Sequence, residues 1–382
     1  MSGKAGFAAI GMGDRLNSIL KMLLENHSDV CELKAISDES SEALSIAQKL
    51  WGTDIPAFSN YRQAIDIKGV DWVLIASKNY LHKDHCVDSF AAGKHVFCEK
   101  PLAITIEQCE QIRNAHHKSN KLFITGFVLR YAPLYRKIKE LITNGVLGRL
   151  VSIEGSENLG ADHGSYIMRN WRRYRKFSGP HLLEKCCHDF DLINWMVDSV
   201  ATRVASFGGL NIFVPENKSV ANKLTKPDDK PPLFYSWPAW EEIDPFMSEK
   251  DIEDNQVAIL EYRNNVRVMF HTNSCNAFSQ RRMFICGLEG TLEADVETET
   301  CRWKRIGRGE KMNYFELKEK AAHGGGNEII VADIARCMRT GEHPEVSGEE
   351  GFISAITALA IDKALQEKKV VDVEHYWQKF GI

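Results

Sequence analysis

A lysine placed directly after a short apolar strand is the first candidate for chemistry in this sequence. Residues 93–101 contain the β-forming residues Val96 and Phe97, which predict a short buried strand, and Glu99 and Lys100 follow at its end. Pro101 restricts the backbone of the preceding lysine to extended conformations. Ligands of open α/β sheets bind at the carboxyl ends of the strands, so Lys100 is placed where a substrate or cofactor would bind. A solvated lysine at the end of the strand is the alternative interpretation.

A second candidate is a histidine on a predicted helix. Glu184, His188 and Asp191 are spaced by four and three residues, which places them on one face of that helix. Histidine suits proton transfer because its ordinary pKa lies near neutral pH, although a structural histidine satisfied by its neighbours fits the same pattern. A zinc site with Cys186 and Cys187 is disfavoured, because adjacent cysteines point to different sides of a helix, and we predict no metal.

A glycine-containing turn near the N-terminus predicts a dinucleotide site. An apolar strand at residues 7–10 leads into Gly11 and Gly13, and a helical pattern follows. The first glycine allows a tight turn, the second allows a pyrophosphate to approach the backbone, and the helix N-terminus supplies N–H groups. Leu16 stands where the motif usually has glycine or alanine, and an ordinary strand-to-helix turn is the alternative interpretation.

An aspartate at the end of the second predicted strand, residues 33–37, indicates which cofactor is bound. The carboxylate of Asp38 can accept hydrogen bonds from ribose hydroxyls and would repel a 2′-phosphate, which favours NAD over NADP. Alternatively, Asp38 caps the helix predicted over residues 41–50.

The elements around these residues predict a doubly wound parallel sheet. Five predicted strands alternate with helices, at residues 7–10, 33–37, 71–77, 96–98 and 121–126. Their carboxyl ends should bring Gly11, Asp38, Ser77 and Lys100 to one edge of the sheet.

The pattern changes after residue 126. Alternating segments between about 203 and 317 predict a large, mainly antiparallel open sheet with one covered face. Residues 215–254 are rich in proline and charge and contain Trp237 and Trp240. We interpret them as a long insertion or lid, because strands are predicted on both sides. The chain is thus predicted to form a Rossmann domain at residues 1–126 and an α/β domain at residues 127–382.

Composition narrows the class of partner. The 382 residues have a formal net charge of -4, which argues against nucleic acid or an anionic membrane as the main partner and favours a small molecule. Ten scattered cysteines without a Cys-x-x-Cys pair indicate reduced core residues. We find neither the apolar region of a signal peptide nor a membrane-spanning stretch, and we expect a cytoplasmic protein.

Several motifs occur together in one order along the chain. They are the glycine turn, residues 93–96 with Glu99-Lys100-Pro101, the acid-x-x-x-His-x-x-Asp pattern from Glu184 to Asp191, Arg130 and Pro133 ahead of Gly145-x-x-Gly148, and residues 323–326. This set resembles the glucose-fructose oxidoreductase/inositol dehydrogenase/rhizopine catabolism (Gfo/Idh/MocA) family over most of the chain. The resemblance implies a Rossmann domain followed by an α/β domain whose exposed sheet face forms homodimers or homotetramers.

The resemblance also implies an NAD(P)-dependent oxidoreductase that transfers a hydride between a nicotinamide and a carbinol of a sugar, polyol or sugar derivative. Lys100, Glu184 and His188 match the catalytic lysine, acid and histidine, and Glu184 stands where aspartate is common. Predicted cofactor contacts are Gly11, Gly13, Asp14, Arg15, Leu16, Asp38, Ala76, Ser77, Asn79, His82, Glu99 and Lys100. Predicted substrate contacts are Lys100, Trp171, Arg172 and His188.

The segment around Trp171 and Arg172 is assigned to the substrate because a flat indole suits a sugar face and a guanidinium can donate to hydroxyls. A basic surface loop is the alternative. Two other functions stay open: an NAD-dependent glycosidase, which oxidises its substrate transiently, and a cofactor-sensing regulator without catalysis.

Overall fold

The structure is a computed structural model that describes residues 3–226, 228, 230–237, 243–317 and 322–382. Trp240, which we predicted to lie in the insertion, falls outside these residues. The strands are β1 (Ala5–Ile10), β2 (Cys31–Ser37), β3 (Ala57–Phe58), β4 (Trp72–Ile75), β5 (His95–Cys98), β6 (Phe123–Thr125), β7 (Leu150–Gly160), β8 (Ala201–Gly209), β9 (Asn255–Tyr262), β10 (Arg267–Asn276), β11 (Gln280–Gly287), β12 (Gly290–Asp295), β13 (Thr300–Arg305), β14 (Asn313–Glu316) and β15 (Val371–Asp372). The α-helices are α1 (Asp14–Asn26), α2 (Ser41–Trp51), α3 (Tyr61–Ile65), α4 (His82–Ala91), α5 (Ile106–Ser119), α6 (Pro133–Thr143), α7 (Ala161–Met168), α8 (Arg175–Ser178), α9 (His181–Val197), α10 (Lys218–Leu224), α11 (Gly326–Thr340), α12 (Gly348–Glu367) and α13 (Glu374–Phe380).

The chain divides into two compact units. The first contains the residues up to 132 together with residues 325–355, and the second contains residues 133–324 and 356–382. The predicted domain boundary after residue 126 stays a prediction. Among the described helices, none combines the length and the apolar character that crossing a bilayer requires.

The first unit contains a six-stranded parallel sheet in the order β3-β2-β1-β4-β5-β6. Its central strands β1, β4 and β5 are almost entirely buried. Their continuous apolar sequences are typical of strands that are covered on both faces of a parallel sheet. We predicted five strands, and the sheet has six, because β3 was not predicted. Strand β3 is only two residues long, so it leaves no periodic signal in the sequence.

The second unit is built on a nine-stranded sheet in the order β14-β13-β12-β11-β7-β10-β9-β8-β15. Neighbouring strands run antiparallel except β7 and β10, which pair in parallel. Alternate residues of β9 and β10 are buried and exposed, as expected for a sheet with one covered face. The predicted fold class is confirmed, and the short C-terminal helix α13 is an addition to it.

Candidate active site

The glycine turn of the first unit has the geometry that a dinucleotide requires. Gly11 has a φ of +90°, and a Cβ at this position would lie 2.4 Å from the backbone nitrogen of Ser77. A side chain is therefore excluded where the β1 and β4 turns approach each other. Gly13 has nothing within 4 Å of a Cβ built on its backbone, so the next turn residue faces open space. The turn can accept a group that comes close to the backbone.

The start of α1 supplies donors on that side. Gly13 occupies the N-cap position without a side-chain hydrogen bond, so the first N–H groups of a 13-residue helix are not capped by it. Arg15 adds a buried Nη2 atom that has no hydrogen-bond partner. Backbone N–H groups, a helix dipole and a guanidinium fit the pyrophosphate of a dinucleotide, and the predicted contacts of Gly11, Gly13, Asp14 and Arg15 with it stay predictions. Leu16, the next predicted contact, is fully buried in the core.

Arg15 is held in place by residues at the end of β5 and near the start of α11. Its Nε donates to Oε1 of Glu99 at 2.6 Å, and its Nη1 donates to Oδ1 of Asn327 at 2.7 Å. The other oxygen of Glu99 accepts the backbone N–H of Lys100 at 3.1 Å. Glu99 thereby connects the glycine turn to Lys100. Asn327 was missed by the sequence analysis, because nothing in its local pattern links it to the N-terminal turn.

Asp38 ties the end of β2 to the glycine turn. Its Oδ2 accepts the N–H of Met12 at 2.7 Å, and its Oδ1 accepts the N–H of Ser40 at 2.8 Å. The cap of α2 is Ser40, whose side chain accepts the N–H of Ala43, so the alternative assignment of Asp38 as the helix cap is wrong. Each carboxylate oxygen has a second lone pair, which leaves Asp38 able to accept from ribose hydroxyls.

His82 joins the turns that follow β4 and β5. Its Nδ1 lies 2.8 Å from the carbonyl oxygen of Pro101, and its Nε2 lies 3.0 Å from that of Ser77. Carbonyl oxygens only accept, so both ring nitrogens must donate. His85 behaves in the opposite way: burial, followed by the neighbouring His82, lowers its pKa to about 3, and its Nδ1 contacts Oγ of Ser77. Asn79 is also buried, in the turn before α4.

In the second unit, helix α9 places Glu184 and His188 one turn apart. Both residues are only 7 % exposed, on a helix whose residues are otherwise mostly buried and apolar. The helix starts at His181, directly after Pro180, whose carbonyl accepts the N–H of Glu184. The acid and the histidine thus have fixed backbone positions in the first and second turns of α9.

Glu184 is paired with Arg172, one of the predicted substrate contacts. Arg172 Nε donates to Oε1 of Glu184 at 2.7 Å, and Nη1 donates to the hydroxyl of Tyr166 at 3.1 Å. The guanidinium also lies 4.4 Å from the ring centroid of Trp171. Burial disfavours the charge of Arg172, but Glu184 outweighs this effect and raises the pKa of Arg172. The structure therefore brings Trp171 and Arg172 next to the predicted catalytic acid, while their role stays a prediction.

Helix α9 is held to the sheet by a largely buried cluster of two cations and two anions, which we call the charge cluster. Arg281 on β11 donates Nε and Nη2 to the two oxygens of Asp189, both at 2.9 Å. Arg281 also lies 2.8 Å from Glu157 on β7, which pairs with Lys185 at 3.2 Å. Burial disfavours the charge of Arg281, but Asp189 and Glu157 outweigh it and raise its pKa. The cluster fixes the helix that carries Glu184 and His188.

Relatives of known sequence extend over almost the whole chain. A Bacillus subtilis protein named as an oxidoreductase, YteT, is 23 % identical over 97 % of this chain and 98 % of its own. The myo-inositol 2-dehydrogenase of Thermotoga maritima is 24 % identical over 96 % of this chain and 97 % of its own. Among solved structures, a levoglucosan dehydrogenase in complex with NADH and levoglucosan superimposes with a TM-score of 0.78 at 19 % identity, covering 97 % and 99 % of the two chains, which supports the fold.

Two family profiles match consecutive parts of the sequence. The profile of the oxidoreductase family, NAD-binding Rossmann fold, matches residues 6–127, and that of the oxidoreductase family, C-terminal alpha/beta domain, matches residues 139–373. Together they include every predicted site residue. The chain belongs to the Gfo/Idh/MocA family of oxidoreductases, as the motif resemblance implied.

Proposed function

We propose that this protein is an NAD-dependent dehydrogenase that interconverts a carbinol of a sugar, polyol or sugar derivative and the matching carbonyl. The observation that supports this most is the pair of Glu184 and His188 on α9, one turn apart and nearly buried, with Arg172 bonded to the acid. An acid paired with arginine and a histidine beside it are suited to moving one proton at a hydroxyl group.

Each residue then has a distinct role. His188 takes the hydroxyl proton when the carbinol is oxidised and returns it in the reverse direction. Glu184, held by its ion pair with Arg172, orients the histidine and the hydroxyl. Lys100 holds the alcohol oxygen. When bound, the nicotinamide supplies the acceptor or donor of the hydride. Lys100 belongs to the first unit and the other two to the second, and their assignment to one reaction rests on the motif resemblance.

The test is a panel of sugars, polyols, their lactones or ketones, and aryl glycosides, incubated with the purified protein and NAD⁺ or NADH. We expect stoichiometric formation or consumption of NADH with at least one compound of the panel. Release of an aglycone from a glycoside without net NADH formation would instead indicate the glycosidase. Binding of NAD without either reaction would indicate the regulator.

Cofactor preference gives a prediction for Asp38. We expect NADH to bind about ten-fold or more tightly than NADPH, because the Asp38 carboxylate would repel a 2′-phosphate. Asp38→Asn should narrow that ratio by removing the charge, although it loses one of the acceptors for Met12 and Ser40. Fluorescence titrations of both cofactors measure the ratio.

Glu25→Gln, an equal change of charge on the exposed side of α1, is the control and should leave the ratio unchanged. Tighter binding of NADPH by the wild-type protein would remove Asp38 from the ribose contact.

The exposed face of the second unit's sheet supports a homodimer or homotetramer. Phe207 lies opposite Val257, Ile259 lies opposite Met269, and Phe284 lies two strands further on, all exposed. Apolar side chains on adjacent strands form a surface that a second copy of the chain would cover. Sedimentation equilibrium measures the mass, and a monomer at micromolar concentration would contradict this proposal.

A further inference from the structure

The segment between β8 and β9, which we call the insertion, is held firmly at both ends. Gly209 and Asn255 are opposite each other in the antiparallel pair of strands. The fully buried carboxylate of Asp254 accepts the N–H groups of Asn211, Ile212 and Phe213, each at 2.8 Å. The beginning and the end of the insertion are therefore bonded to each other, and the described residues between them start from a fixed base.

The insertion also has its own small apolar core, which it shares with β7 and α7. The buried residues of this core are Leu159, Ile167, Met168, Phe213, Ala221, Phe234, Phe246 and Ile252. The rings of Phe213 and Phe234 both lie 5.2 Å from that of Phe246. The N–H of Phe234 donates to Asp162 at 2.8 Å, and Ser248 donates to the carbonyl of Met168 at 2.9 Å. The described part of the insertion is thus docked on α7.

Trp237, an aromatic side chain of the insertion, is exposed despite this docking. The backbone carbonyl of Trp237 accepts a hydrogen bond from Arg169 at 2.7 Å, and its ring stacks on His163 with a centroid distance of 4.5 Å and an interplanar angle of 27°. The ring centroid of Tyr166 lies 5.7 Å from it. Trp237 is nevertheless 43 % exposed. Its position is fixed, yet a large part of the indole is not used in packing.

The rings of Trp237 and Tyr166 are connected to the predicted catalytic acid, Glu184, through the side chain of Arg172. Tyr166 accepts a hydrogen bond from Arg172, and Arg172 donates to Glu184. From Glu184, the sequence of contacts is therefore arginine, tyrosine and then the tryptophan of the insertion.

We propose that Trp237 and Tyr166 form an aromatic subsite that binds a second sugar ring, so that the substrate is a disaccharide or another glycoside of two rings rather than a free polyol. The proposal rests on the proposed function, since it places the reacting carbinol at Glu184 and His188. A sugar ring has an apolar face of C–H groups that packs on an indole and a rim of hydroxyls that needs donors and acceptors. The second ring would pack on Trp237 while the first is held at the α9 residues.

The experiment measures binding without turnover. The wild-type protein saturated with NADH is titrated calorimetrically with myo-inositol, methyl glucosides, methyl galactosides and the disaccharides cellobiose, maltose, lactose and melibiose. We expect the best disaccharide to bind about ten-fold or more tightly than the best one-ring probe. Trp237→Ala should remove that advantage, whereas Trp237→Phe, which retains a flat ring, should retain most of it.

Tyr314→Ala removes another exposed aromatic ring of the second unit and should change no affinity. Thermal unfolding of each variant tests whether it is folded, so that a lost preference for disaccharides is distinguished from a loss of folding. Equal affinities for one-ring and two-ring probes, or an equal loss for both in Trp237→Ala, would overturn the subsite. If the subsite is overturned but a one-ring sugar reduces NAD⁺, the proposed function stands without the subsite. If no sugar of the panel reduces NAD⁺, the proposed function fails.

Discussion

Replacement of His188 by alanine is expected to lower kcat by about 10²–10⁴-fold on the best substrate, because the variant has no group to accept the hydroxyl proton. The cofactor should still bind with nearly its normal affinity, since the glycine turn and Asp38 belong to the other unit. Steady-state kinetics and an NADH titration measure both quantities. His375→Ala, an exposed histidine of α13, is the matched control and should retain full activity.

Lys100 should behave differently from His188. Because it is assigned to the alcohol oxygen and the nicotinamide ribose, Lys100→Met should raise KM and weaken cofactor binding as well as lower kcat. The double variant should lose less than the product of the two single losses, since the two residues act on one proton transfer. If His188→Ala retains near-normal turnover across pH, the histidine is structural and the catalytic assignment fails while the fold remains.

The second large effect is expected at the charge cluster. Arg281→Leu should lower the free energy of unfolding of the second unit by about 3–5 kcal/mol, because the buried carboxylates of Asp189 and Glu157 both lose their arginine, and among the described residues the ion pair of Glu157 with Lys185 is what they keep. Arg281 and Asp189 are both nearly inaccessible to solvent, being 9 % and 2 % exposed. Denaturant titration and hydrogen exchange of the α9 amides measure the loss.

Two further variants separate buried charge from other causes. Arg305→Leu breaks an ion pair with Glu289 that is more than half exposed on both sides, and it should cost at most about 1 kcal/mol. Arg281→Leu combined with Asp189→Leu removes one cation and one anion, so it should recover part of the loss. If the free energy of unfolding of Arg281→Leu lies within about 1 kcal/mol of the wild-type value, the charge cluster does not hold α9 in place.

Most of the fold could be predicted from the sequence because its elements carry strong local patterns. The helix predicted over residues 41–50 was found at Ser41–Trp51, and the face shared by Glu184 and His188 was found on α9. Strand β3 was missed because two residues are too few to show an alternating pattern. The parallel pairing of β7 with β10 was missed because the direction of strand pairing depends on residues that are distant in sequence.

The contacts within the site were harder to predict, for the same reason. Asn327 reaches Arg15, Arg281 reaches Asp189, and Tyr166 reaches Arg172, and the first two of these pairs lie far apart in the chain. A single sequence shows which residue types are available but not which of them meet. Arg172 illustrates this limit: its type suggested a donor to substrate, which stays a prediction, but nothing in the sequence indicated that its guanidinium also bonds to Glu184.

The two carbonyl oxygens that face His82 make the first unit sensitive to alkali through proton linkage. Burial disfavours the imidazolium, but the neighbouring Cys98 and the carbonyls of Pro101 and Ser77 outweigh it and raise the pKa of His82 from 6.5 to about 9. A raised pKa means that the folded form holds the proton more tightly than the unfolded form. This stabilisation is therefore complete below pH 6.5 and is lost as the pH rises through about 9. Thermal midpoints of the wild type should fall over that interval, and those of His82→Gln, which does not titrate, should fall less. Above that interval the neutral imidazole has one N–H and can donate to only one of the two carbonyls, so the turns after β4 and β5 lose one of the bonds that join them, next to Ser77 and Lys100.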